Sequence, residues 1–155
     1  MKRYRDLVAD GRSRVAEIMP WDLRDRLAGA APPLLVDVRE ADEFARVHIA
    51  GALHVPRGVL EQACEWDYDE TVPALAGGRQ RPVVLVCRSG NRSLLAADVM
   101  QTLGYTAVVS LQTGVRGWND FELPLVDAAG QPVDGDVAAA WLAPPLRPEQ
   151  RRPAS

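Results

Sequence analysis

Val83-Val84-Leu85-Val86-Cys87-Arg88-Ser89-Gly90-Asn91-Arg92-Ser93 is the stretch that decides the fold. Its first four residues are apolar and mostly β-branched, the composition of a strand buried on both faces of a parallel sheet. A cysteine ends the strand, a short polar loop containing a glycine follows, and Leu94 to Leu103 reads as a helix. That order aims a thiol and several backbone N–H groups at the mouth of the sheet, beside a helix N-terminus. Such surroundings stabilise a thiolate and attract anions. The loop is therefore the candidate active site.

Outward from this strand the chain alternates strands and helices. Tyr4 to about Arg12 forms a weak amphipathic helix, and Val15 to Ile18 a short edge strand. Pro20 suits a first helical turn, Trp21, Leu23 and Leu27 mark one face, and Gly29 stops that helix. Leu34 to Val38 is a buried strand followed by a helix from Glu40 to Val47, and Leu53 to Val55 is a brief strand. Gly58 to Trp66 reads as helical and Asp67 to Arg81 mainly as loop. Ala107 to Val109 is the last strand, ahead of a short helix from Gly114 to Asp120. The alternation predicts an α/β fold with a parallel sheet covered by helices on both faces. Beyond Leu125, prolines and glycines break the chain into short pieces, with a turn or two of helix from Val137 to Leu142 docking Trp141 on the domain. The expected division is an N-terminal helical extension (1–14), a main domain (15–126) and a C-terminal extension (127–155), partly docked and frayed over its last ten residues.

At 155 residues the chain buries a core without help from disulfides or metal. A net charge of −3 gives no reason to expect nucleic acid or a membrane as partner. Two cysteines, no signal-peptide pattern and no long apolar run point to a reducing, cytoplasmic setting. A free cysteine titrates near ~8.5, so holding one as thiolate at neutral pH requires roughly 2.7 kcal/mol. A helix dipole contributes only ~0.3–1 kcal/mol. The rest falls to the amides of residues 88 to 93 and to Arg88 or Arg92. Gly90 and Asn91 tolerate the backbone angles that such a nest needs. The loop holds no general base, and a thiolate stabilised by fixed positive potential does not require one.

Four stretches together resemble the rhodanese (thiosulfate sulfurtransferase) family in its single-domain form, over about Val15 to Leu125. They are Leu35 to Glu40 with Glu43 and Phe44, His48 to Pro56, Cys87 to Ser93, and Leu111 to Trp118. The last departs by one residue, Thr113 standing where the first glycine of a pair is usual. The resemblance implies a five-stranded parallel sheet flanked by helices. It also implies double displacement through a Cys87 persulfide. Thiosulfate would be the donor, and cyanide, thiols, glutathione or thioredoxin-like proteins the acceptors. Arg88 and Arg92 would steer the anionic donor, with Ser89, Gly90, Asn91 and Ser93 completing the cradle. Four residues separate Cys87 from Arg92, as in the family's sulfurtransferases. Its phosphatase and arsenate reductase relatives have one more, and the equivalent position here is Ser93.

The remaining candidates read as structural. Asp37 and Arg39 form supporting hydrogen bonds near the strand ends, and Trp118 packs in the core. His48 and His54 do not make a metal site, and no cofactor is expected. Cys64 is a packing residue before it is a partner for an oxidised Cys87. An alternative to turnover is a persulfide carrier that accepts sulfur from a desulfurase-type protein and delivers it to another.

Overall fold

The computed structural model describes residues 1–154. In chain order it contains α1 (Tyr4–Arg12), β1 (Glu17–Ile18), α2 (Pro20–Leu27), β2 (Leu34–Asp37), α3 (Ala41–Arg46) and β3 (Leu53–His54). Next come α4 (Leu60–Ala63), α5 (Pro73–Ala76), β4 (Val83–Val86), α6 (Asn91–Thr102), β5 (Val108–Leu111) and α7 (Gly114–Asp120). The chain then forms β6 (Leu125–Val126), β7 (Pro132–Val133) and α8 (Gly135–Leu142). Two 3₁₀ turns, Arg57–Val59 and Pro148–Gln150, complete it. The first five strands make one parallel sheet in the order β1-β5-β4-β2-β3. The five-stranded α/β architecture expected from the sequence is the one found.

β4 lies at the centre, and all four of its side chains are buried. Period-two alternation divides them between two cores. Val83, Leu85 and Cys87 pack on one side with Val36, Leu94, Ala97 and Met100. Val84 and Val86 pack on the other with Leu23, Leu35, Leu111, Val115 and Trp118. The ladder between β2 and β4 continues one residue beyond β2, where Val38 N–H donates to Val86 O at 2.9 Å. This bond fixes the backbone immediately before Cys87.

The structure differs from the sequence expectation at several elements. α6 starts at Asn91 rather than Leu94, so Arg92 and Ser93 belong to the first helical turn and not to the loop. The 67–81 stretch contains α5, whose Leu75 is fully buried. Between Gly58 and Trp66 the helix is only α4, preceded by a 3₁₀ turn. After residue 125, β6 and β7 pair as a hairpin, and β6 bridges back to His48. α8 covers the stretch read as helical, but it docks through Ala138 and Leu142, both buried. Trp141 stays 39% exposed, because Ala138 and Leu142 lie one turn apart on the face toward the core and Trp141 lies off it. Of the extension 127–155, residue 155 lies outside the described residues.

Candidate active site

The Cys87 thiol is 1% exposed and sits inside its loop. Gly90 N–H donates to Sγ at 3.1 Å and Ser93 Oγ–H donates to it at 3.3 Å. Ser93 Oγ lies 2.8 Å from Ser110 Oγ on β5. With the Ser93 proton on sulfur, the Ser110 hydroxyl is the donor to Ser93. The two serines thus form a relay of dipoles pointing positive ends at the thiol. Asn91, Arg92 and Ser93 open α6, and first-turn N–H groups have no carbonyl one turn back to bond to. The donors on the sulfur itself are Gly90 N–H and Ser93 Oγ–H, at the positive end of the α6 dipole. Ser93→Ala removes a hydrogen bond of about 1 kcal/mol from the Cys87 sulfur. Alkylation of Cys87 at neutral pH is then expected to slow by about fivefold, read by peptide mass spectrometry.

The turn after β5 holds the loop from behind. Val115 N–H donates to Cys87 O at 2.9 Å and Arg116 N–H to Arg88 O at 3.0 Å. This approach needs two glycines. Gly90 has φ +101, and a Cβ there would sit 3.1 Å from Thr113 N. Gly114 has φ +63, and a Cβ there would sit 2.5 Å from Cys87 O and from Arg88 C and O. Between them Thr113 also adopts φ 70, which a β-branched residue resists. The departure from the family's paired glycines is therefore a strained position. Thr113→Gly relieves about 1–2 kcal/mol of left-handed strain, less ~0.5–1 kcal/mol of added unfolded-chain entropy. The variant is expected to melt a few degrees higher in a thermal scan.

The two arginines of the loop have different surroundings. Arg92 is held by Glu43 of α3 in a bidentate pair, Nη1 to Oε1 at 2.7 Å and Nη2 to Oε2 at 2.9 Å. Burial pushes the Glu43 carboxyl up, but the Arg92 hydrogen bonds and charge outweigh it and hold it below the usual range. The same bonds keep the Arg92 guanidinium more firmly protonated than usual. A carboxyl whose folded value is depressed stabilises the fold above its unfolded value, and that contribution is lost as pH falls through the folded value. Glu43→Gln is therefore expected to flatten the acid side of the stability profile, from the ordinary glutamate value of about 4.3 downward. Urea melts at successive pH values measure it. Arg88, by contrast, has no hydrogen-bonding or ionic partner for its side chain among the described residues.

Below the loop, Asp37 and Arg39 form a buried ion pair, each 1% exposed. The Asp37 carboxylate accepts from Arg39 N–H and Nε, both at 3.0 Å, and from Nη2 at 2.7 Å. Arg39 Nη2 also donates to Val47 O at 2.7 Å. His54 Nε2–H donates to Arg39 O, and His48 Nδ1–H to Phe44 O, each at 2.8 Å. The Phe44 ring stacks on both imidazoles, at 3.9 Å and 4.5 Å. Asp37, Arg39 and both histidines thus tie the ends of β2 and β3 to α3. Trp118 is buried, with its indole N–H donating to Pro124 O.

Cys87, Gly90 and Ser93 converge on one point. Ser89 is exposed on the side of α7, and Asn91 opens α6 half-buried. Cys64 is fully buried at the C-terminal end of α4, and burial pushes its thiol up, which disfavours a nucleophilic role. Sequence reasoning missed Ser110 and the pairing of Glu43 with Arg92. Glu43 stood in a quoted motif, but its partner lies 49 residues away.

A model of the rhodanese-like domain family matches residues 20–121, a span that contains the cysteine loop and both of its supports. The chain belongs to the rhodanese-like family. Among its rhodanese-like relatives, the sulfurtransferase of Allochromatium vinosum is 34% identical over 116 residues, covering 75% of this chain and 99% of that protein. The putative sulfur carrier protein YrkF of Bacillus subtilis is 32% identical over 85 residues, covering 54% of this chain and 40% of that longer protein. Among solved structures, protein RPA3614 of Rhodopseudomonas palustris, described as a possible tyrosine phosphatase, superposes with a TM-score of 0.72. It is 24% identical and covers 80% of this chain and 94% of that one, a likeness of fold. The buried Cys87, cradled at the start of α6, is consistent with the catalytic cysteine of such a domain.

Proposed function

We propose that this protein is a sulfurtransferase that moves sulfane sulfur from thiosulfate, or another persulfide donor, through Cys87 to a thiophilic acceptor such as cyanide or a thiol. One observation carries the reading. The Cys87 sulfur accepts from Gly90 N–H and Ser93 Oγ–H, in a loop with four residues between it and Arg92. In the first step the thiolate attacks the outer sulfur of thiosulfate. A bond forms from Sγ to that sulfur, the sulfur–sulfur bond of the donor breaks, and sulfite leaves with the electron pair. The Cys87 persulfide anion that results carries its charge on the terminal sulfur, within reach of the first-turn amides of α6. An acceptor such as cyanide then attacks that sulfur, and Cys87 leaves as thiolate. The overall charge is unchanged in each step.

Arg88, with its guanidinium unpaired, is the side chain that meets the donor. Arg92 acts from the cradle wall where Glu43 fixes it, and Ser89, Gly90, Asn91 and Ser93 supply backbone and hydroxyl donors. Asp37 and Arg39 hold the strand ends beneath. The short spacing to Arg92 argues against a phosphate-sized site. A reducing cytoplasm suits a thiol that must be free at the start of each cycle, and among the described residues no helix is long and apolar enough to cross a membrane. The likeness to YrkF supports a second reading, a persulfide carrier loaded by a desulfurase-type protein. A thiosulfate–cyanide assay separates the two. Steady thiocyanate formation supports the enzyme. Its absence, together with a 32-dalton gain on Cys87 only after incubation with a desulfurase, supports the carrier.

A further inference from the structure

The family match ends at residue 121, yet the chain returns to the cysteine loop afterwards. α8 is firmly seated. Asp134 caps it by accepting from Asp136 N–H at 2.9 Å and Val137 N–H at 3.1 Å. Asn119 Nδ2 donates to Gly135 O at 2.9 Å, and Ala138 and Leu142 are buried. At the far end of the helix, Trp141 lies under the Arg46 guanidinium at 5.5 Å. Trp141 and Leu142 line a narrow cleft with Arg88, Glu43 and Arg46. Pro144, Pro145, Leu146, Arg147 and Gln150 then line, again with Arg88, a half-open hollow of about 330 Å³. Arg88 is thus shared between two hollows, and the C-terminal segment walls both.

The chemistry of these hollows is uneven. Arg88 and Arg46 have no carboxylate partner among the described residues, and Arg147 is neutralised by Glu149 at 2.8 Å. Asp42 is the one acid at the rim without an ionic partner among the described residues, since Glu43 is engaged by Arg92. The balance favours an anion beside Arg88. A hollow of about 330 Å³ is at the small end of small-molecule sites. Two consecutive prolines restrict the backbone of its wall.

We propose that Trp141 to Arg147 is a specificity wall, which makes the flank of the Cys87 loop an Arg88-lined pocket for small anionic sulfur species and obstructs the thiols of folded partners. The proposal rests on the sulfur-transfer reading for the identity of the ligand, but not for the wall itself. It can be tested on the full chain with Trp141→Ala and Leu146→Gly, comparing Cys87 alkylation by N-ethylmaleimide and by the bulkier, equally uncharged N-pyrenylmaleimide. Site-resolved peptide mass spectrometry keeps Cys64 out of the measurement. The bulky reagent is expected to gain about tenfold over the small one in both variants. Trp141→Phe, which preserves the flat wall, keeps the wild-type ratio. The KM for thiosulfate rises several-fold in the opened variants as Arg88 loses its enclosure. An unchanged reagent ratio in Leu146→Gly, whose side chain is exposed and whose fold is not at risk, overturns the wall. A changed ratio in a protein that never forms a persulfide leaves the wall standing and removes the sulfur-transfer reading.

Discussion

Cys87→Ser is expected to stop thiocyanate formation from thiosulfate and cyanide, by at least about a thousandfold, and to leave the fold intact. The serine hydroxyl is not ionised at neutral pH, and no general base lies in the loop to activate it. The same donors that serve the sulfur, Gly90 N–H and Ser93 Oγ–H, can serve an oxygen, so the loop keeps its shape. Wild-type protein treated with thiosulfate should gain 32 daltons on the peptide containing Cys87 and lose them to cyanide; the variant should do neither. Residual turnover near the wild-type rate in Cys87→Ser would place the chemistry elsewhere and end the proposed mechanism.

The largest effect on stability is expected from Arg39→Leu. The substitution leaves the Asp37 carboxylate 1% exposed without its guanidinium and deprives Val47 O of its donor. Breaking a buried pair from one side costs about 3–5 kcal/mol. For a chain of this size that corresponds to a melting temperature lower by roughly 10 °C. Asp37→Leu combined with Arg39→Leu should be less destabilised than the single variant, because no uncompensated charge remains buried. Chemical denaturation of the three proteins decides the point. A loss below about 1 kcal/mol in the single variant would show that water relieves the orphaned carboxylate. Activity should fall in step with stability, since the pair lies under the loop and not in it.

The core of the fold was legible because its signals are local. Val83 to Val86 is a continuous apolar run, Pro20 and Gly29 bracket α2, and the cysteine follows its strand directly. The start of α6 was misplaced because Asn91, Arg92 and Ser93 carry no apolar periodicity, although a glycine in the left-handed region at Gly90 caps them as helix. The β6–β7 hairpin escaped notice because two-residue strands show no alternation, and Pro132 reads as a breaker. Within the site, the cysteine, Gly90 and the arginines were legible from type and spacing. Ser110 was not, since one serine in an apolar strand announces no partner. The Glu43–Arg92 pair and the return of residues 141–150 to Arg88 are tertiary facts, created when distant segments meet at one sheet end.

Cys87 shares a side of the sheet with Val83 and Leu85, the side under α6, while Val84 and Val86 face α7 and α8. The strand therefore works as a ruler with a two-residue pitch. Deleting one residue between Pro82 and Cys87 would exchange the faces of the side chains beyond the deletion and deliver the sulfur to the wrong roof, away from Ser93 and the helix start. Deleting two would restore the side but withdraw the sulfur by about 6.6 Å, out of reach of its donors. The segment is consequently intolerant of length change in either frame, a constraint on insertions and deletions that no single side chain imposes.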